Sequence, residues 1–288
     1  MPSTPDDRAA TAARARAAGR APSGRDSRPA AGGPAYLRYV ALGDSQTEGV
    51  GDGDGTGGLR GWADRLAEHL AAAHPALRYA NLAVRGKLAW QVRAQQLAPA
   101  LDLRPDLATV VAGVNDLMRR HFDAQAVAGE LEAMFAALTA GGAHVVTLTF
   151  PDVGRIAPLT RPLRPRVRAL NAAVRAAAAR HGVTVVDTEH EPVATDPRLW
   201  SPDRLHASPV GHARIAAAVA QALRLPGAGP AWTTPFPTPA ARLTPVTEAR
   251  WAAAFLAPWL ARHARGRSSG ADRTAKRPQL LPVTPPRT

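Results

Sequence analysis

A serine at 45, an aspartate at 203 and a histidine at 206 are the side-chain types from which a nucleophile, its base and the orienter of that base are assembled. A serine hydroxyl attacks a carbonyl only when an imidazole within hydrogen-bond reach takes its proton, and a carboxylate best fixes the tautomer of that imidazole. Asp203-Arg204-Leu205-His206 brings carboxylate and imidazole within three residues, inside LWSPDRLHASPVGHARIA. Ser45 stands in Gly43-Asp44-Ser45, directly after the apolar run 39–42, where a hydroxyl is displayed at the end of a buried strand. Gly-Asp-Ser is also an ordinary way for a chain to leave a strand.

Acyl transfer at such a serine needs donors aimed at the oxyanion, each worth about 10² to 10³ in rate. Two further loops offer them. Asn81-Leu-Ala-Val-Arg85-Gly86 follows a second apolar run with a glycine whose N–H no side chain obstructs, and Gly113-Val114-Asn115-Asp116 follows a third with a side-chain amide. Each alone is common turn chemistry. The combination carries the reading, because nucleophile, backbone donor, amide donor and orienter-plus-base pair come from four separate loops.

Two rivals compete for these roles. His212 lies close to His206 but falls inside the helix expected to begin near Ser208-Pro209, while His69, His74, His144 and His181 sit in or beside helices and strands without such a carboxylate. Asp52-Gly-Asp54-Gly-Thr56 imitates a magnesium-dependent phosphotransfer loop with Asp52 as nucleophile, yet that loop needs its first aspartate at a strand end, and Gly49-Val50-Gly51 precedes it here. A calcium loop fails as well, since the twelfth position from Asp52 is Ala63 in place of a bidentate glutamate. Residues 49–58 therefore read as a glycine-rich, mobile flap beside Ser45.

The elements that must position these residues alternate along the chain. Short apolar runs at 37–43, 78–84, 106–112, 144–150 and 183–187 lack polar alternation and read as strands buried on both faces. Between them lie segments of helical length near 61–74, 88–101, 123–140, 164–181 and 209–224. Five strands interleaved with five helices predict parallel pairing through right-handed crossovers and a three-layer α/β/α domain. In such a sheet functional residues gather beyond the carboxyl ends of the strands, which is where all four polar loops fall.

Composition bounds the rest. The absence of cysteine excludes disulfides, thiolate metal sites and a thiol nucleophile. Of the formal charge of +13, residues 1–35 hold +3 and residues 226–288 hold +7, so the excess lies mostly in ends rich in Pro, Ala, Gly and Arg. Such segments bury too little surface to offset their ordering entropy, and they read as solvated tails with no dedicated nucleic-acid site. The domain is expected over 36–225, preceded by a disordered tail at 1–35 and followed by a Pro/Arg-rich extension with a helix near 246–265. Trp251, Phe255 and Trp259 recur on one face of that helix, flanked by Arg250, Arg262 and Arg265, with Pro258 as a kink. The helix either packs back on a protein surface or lies on anionic lipid as a peripheral contact. The first 30 residues lack the apolar core of a secretory signal, and no run approaches the ~18 apolar residues of a membrane span, so a cytoplasmic protein is the expectation.

With these residues in place, the chain resembles the SGNH, or GDSL, hydrolase superfamily of esterases and lipases. The matching blocks are Gly43 to Gly49, Asn81 to Gly86, Gly113 to Asp116 and Asp203 to His206, within residues 37–224. The resemblance implies a five-stranded, flavodoxin-like parallel sheet of order 2-1-3-4-5. It implies Ser45 as nucleophile and oxyanion donor, Gly86 and Asn115 as further donors, His206 as base and Asp203 as its orienter. No metal or organic cofactor is implied, and the partner is a small-molecule ester: a lipid ester, an acetylated sugar, a thioester or a short acyl ester. The chain order Ser, Asp, His suits a triad on an α/β sheet, although the G-x-S-x-G elbow of α/β-hydrolases is missing. Gln46 stands where the family often has an apolar or aromatic residue, and Val114 where a second glycine is common; both bear on pocket shape. A non-hydrolytic binding module with basic tails that recruit acidic partners is the alternative, though a binder has no use for the Asp203/His206 pair.

Overall fold

In a computed structural model of the protein, residues 35–53, 58–241, 243–258, 261, 270 and 272–283 are described. The tail expected at 1–35 therefore falls almost wholly outside the described residues, as do Asp54 to Thr56 of the flap and Trp259, Arg262 and Arg265 of the C-terminal segment.

The expected alternation is present. β1 (Arg38–Gly43) leads into a single helical turn, α1 (Ser45–Glu48), and then α2 (Trp62–Ala73). β2 (Arg78–Asn81) and α3 (Ala89–Asp102) follow, then β3 (Leu107–Val111) and the short α4 (Val114–Leu117). Next come α5 (Ala124–Ala140), β4 (His144–Leu148), the short α6 (Val153–Ile156), α7 (Arg164–Arg180) and β5 (Thr184–Val186). The long helix α8 (Pro209–Ala222) completes the repeat, and α9 (Pro245–Trp251) and β6 (Arg277–Pro282) lie in the C-terminal extension.

β1 to β5 pair in parallel in the order 5-4-3-1-2. The sheet nevertheless has six strands, which corrects the expected five: β6 pairs antiparallel with the outer edge of β2, with Arg78 opposite Pro282 and Asn81 opposite Arg277. The physical reason it escapes sequence reading is its composition. Arg-Pro-Gln-Leu-Leu-Pro has no two-residue alternation and carries two prolines, which only an edge strand tolerates.

Alternate residues of each strand feed two cores, one per face. Val40 and Leu42 of β1 join Val92, Leu131, Phe135, Leu170 and Val174 under α3, α5 and α7. Tyr39 and Ala41 point the other way, into Trp62, Leu66, Leu70 and Val219 under α2 and α8. A strand covered on both faces in this way cannot shift by one residue without exchanging its whole core set, so the register that brings Gly43 to the rim is fixed by packing. No helix among the described residues is long and apolar enough to cross a membrane.

Candidate active site

The backbone leaves β1 through Gly43, whose φ is +157°, and a Cβ there would stand 2.4 Å from the carbonyl oxygen of Val111. Asp44 then caps α1 by accepting the N–H of Gln46 at 3.2 Å, which presents Ser45 at the first position of the turn. The loop carrying Asp203 and His206 arrives from beyond β5. His206 Nε2 lies 2.9 Å from Ser45 Oγ, and His206 Nδ1 lies 2.6 Å from Asp203 Oδ2. An ionised carboxylate only accepts, so Nδ1 carries the proton and Nε2 is the acceptor for the serine hydroxyl. Burial alone would raise the Asp203 carboxyl, but His206 and the N–H groups of His206 and Leu205 override it and hold Asp203 well below the ordinary carboxylate range. Its Oδ1 accepts three donors: Ser201 Oγ at 2.7 Å, Leu205 N at 2.9 Å and His206 N at 3.0 Å.

Four side chains to which sequence reading gave no part in the site hold this geometry. Gln96, buried on α3, pairs both its amide groups with the backbone of Gly43, each at 2.9 Å. Glu48, 5% exposed, takes the Arg85 guanidinium and, at 2.7 Å, the Arg85 backbone N–H, so the loop after β2 is tied to the turn that bears Ser45. Asp116 accepts the Ala89 N–H at 3.0 Å and so links the loop after β3 to the start of α3. Gln46 clamps the histidine loop from both sides, donating to Leu205 O at 2.7 Å and accepting Ala207 N at 3.3 Å. The only sequence signal for any of them was the departure of Gln46 from the family pattern, and its structural consequence is this clamp.

Gly86 lies next to the Glu48–Arg85 anchor with φ +73°, a left-handed conformation suited to glycine. Asn115 is 8% exposed, and its Nδ2 donates to Asp44 Oδ2 at 3.1 Å and to Lys87 O at 3.0 Å. Burial pushes the Asp44 carboxyl up to about 7, with Asp116 and Glu48 adding to the rise and the Gln46 N–H and His206 opposing it.

The rivals take structural places. Asp52 follows α1 instead of a strand and is buried against the Arg65 guanidinium at 2.7 Å, while Arg60 N bonds its carbonyl at 3.0 Å. His212 is fully buried on α8, where Nδ1 accepts the Trp62 N–H at 3.1 Å and Nε2 donates to Val50 O at 3.1 Å. Burial pushes His212 down to about 4. An unfolded histidine titrates near 6.5, so the unfolded chain takes up this proton first as pH falls. The His212 contribution, about 3 kcal/mol, is whole above pH ~6.5 and is lost between about 6.5 and 4. Asp44, raised to about 7, and Asp116, raised by burial to about 6, act in the opposite sense over this range. The difference between wild type and His212→Gln isolates the histidine: the wild-type advantage in Tm at pH 7.5 is expected to shrink by pH 4.5, and a constant difference would refute the assignment.

A model of the GDSL-like lipase/acylhydrolase family matches residues 41–214, a span that includes every site residue above. Solved structures that share the fold include the following three. An α/β hydrolase enzyme, LAE5, from the metagenome of Lake Arreo, Spain, is 25% identical with a TM-score of 0.55, covering 65% of this chain and 95% of its own. A lipase/acylhydrolase from Enterococcus faecalis is 23% identical with a TM-score of 0.53, covering 66% and 97%. A variant of Axe2, an acetyl xylan esterase from Geobacillus stearothermophilus, is 19% identical with a TM-score of 0.55, covering 66% and 95%. No curated protein matches the sequence.

Proposed function

The chain belongs to the GDSL-like lipase/acylhydrolase family, and from that premise we propose that it is a carboxylic ester hydrolase that works through an acyl-enzyme on Ser45. The single observation that carries the reading is the unbroken line from Asp203 Oδ2 through His206 to Ser45 Oγ, with contacts of 2.6 and 2.9 Å. His206 takes the Ser45 proton as the oxygen attacks the ester carbonyl, and then delivers it to the leaving alcohol; water repeats the cycle on the acyl-enzyme. Asp203 keeps the imidazolium in place and stays ionised throughout.

In the same reading the oxyanion rests on the N–H groups of Ser45 and Gly86 and on Asn115 Nδ2. Ser45 is the first residue of a helical turn, so its N–H is not consumed by the helix. The amide hydrogens of Asn115 are engaged by Asp44 and Lys87 O in the resting protein. The oxyanion therefore draws on hydrogens already shared, and a neutral Asp44 holds them more weakly than a charged one.

The test is covalent. A fluorophosphonate should label the folded protein at Ser45 and nowhere in Ser45→Ala, whereas failure to label folded wild type would favour the binding module. Screening p-nitrophenyl esters of increasing chain length beside acetylated sugars then sorts short-acyl, lipid and deacetylase substrates.

A further inference from the structure

The family match ends at residue 214, yet the chain beyond it returns to the rim of the site at three places. Trp251 Nε1 donates to the carbonyl of Asp203 at 3.2 Å. Arg204 donates to Glu248 Oε1 at 2.5 Å, and its guanidinium lies 4.9 Å from the centre of the Trp251 ring. At the loop after β2, Gly270 packs so closely that a Cβ on it would stand 2.0 Å from Arg85 O. Just past the flap, Lys276 Nζ donates to Leu59 O at 3.0 Å and to Asp64 Oδ2, at the start of α2, at 2.6 Å.

We propose that this extension is a built-in brace of the catalytic rim, with Trp251 and Glu248 as positioning residues for His206. The inference rests on the role given to His206 above. Its physical basis is Arg204, in the middle of Asp-Arg-Leu-His, which has φ +55°, a left-handed conformation disfavoured for any residue with a Cβ. Such a conformation persists only where the surroundings over-determine it. Here an ion pair and a ring contact hold the Arg204 side chain while an indole N–H holds the carbonyl just before it. The turn they fix aims the Leu205 and His206 N–H groups back at Asp203 Oδ1, and it thereby sets the plane of the imidazole. Two of the three contact points lie at the proposed catalytic groups, Trp251 on Asp203 and Gly270 against Arg85 next to Gly86, while Lys276 ties Leu59 to Asp64 at the start of α2.

The test uses the full chain. Trp251→Phe keeps a ring over Arg204 and removes the N–H, so kcat on p-nitrophenyl acetate is expected to fall about 10-fold with KM within twofold. Trp232→Phe is the control, since Trp232 lies in the same extension but donates to Gln221 on α8; its kcat should stay within twofold of wild type. The Nδ1 proton shared by His206 and Asp203 gives a downfield proton resonance, expected to move or broaden in Trp251→Phe and to stay in Trp232→Phe. Glu248→Gln, which weakens the hold on Arg204, should lower kcat in the same direction and serves if Trp251→Phe does not fold. Unchanged kcat and an unmoved resonance would overturn the brace, as would a loss confined to KM or equally large in the control. Wild type without Ser45-dependent turnover would instead defeat the catalytic assignment beneath it.

Discussion

Ser45→Ala should lower turnover by about 10⁶, because nucleophile and base act as one unit and the loss of either removes the whole covalent route. His206→Ala should fall about as far, and the double variant hardly further, since the second deletion removes a group that no longer has a task. Oxyanion donors and substrate binding survive all three changes, so a residual rate about 10³ to 10⁴ above that in water is expected. The folded domain should tolerate the change well. Ser45 Oγ has His206 as its side-chain partner, and alanine suits the first turn of a helix. Single-turnover rates on the best p-nitrophenyl ester, with Tm as the fold control, decide the matter; a Ser45→Ala protein within tenfold of wild type would end the proposed mechanism.

Asp203→Asn should cost about 10⁴ in kcat while barely altering the shape of the site. The orientation of the new amide is dictated by its neighbours. Three donors converge on Oδ1, so the amide oxygen must occupy that position and the NH₂ must face His206 Nδ1. An imidazole facing a donor there keeps its proton on Nε2, and an Nε2–H pointing at Ser45 cannot accept the serine proton. Asp203→Ala lacks this enforced tautomer, but it leaves three N–H and O–H groups without an acceptor and should cost more in stability. Comparison of kcat and Tm across the two variants separates the effects: the larger kcat loss is expected for asparagine, the larger Tm loss for alanine. Equal activity of Asp203→Asn and wild type would mean that another group orients the base.

Much of this architecture was legible in the sequence. The five parallel strands and five long helices follow from apolar runs and periodicity, because each strand is covered on both faces and each helix on one. The residues of the serine line are also where the motifs put them, since a strand end, a glycine turn and a short D-x-x-H spacing are local signals. What escaped were the supporting side chains whose roles appear only in contacts distant in sequence. Gln96, Glu48 and Gln46 look like ordinary polar residues on helices until the fold sets them against Gly43, Arg85 and Leu205. Trp251 was visible as part of an aromatic stripe, but such a stripe suits packing on the domain or another subunit, and also a lipid surface. The structure seats its indole on Asp203 while Phe255 stays 37% exposed.

The antiparallel pairing of β6 with β2 has a consequence for biosynthesis. Asn81 and Arg277 are register partners, so a growing chain makes β2 nearly two hundred residues before the strand that covers it. At the usual ~5 to 20 residues per second of translation, that edge waits roughly 10 to 40 s with its peptide groups unmatched. Throughout that interval the nascent domain exposes a ready template for strand exchange, and the two prolines of β6 make the finished edge a poorer one.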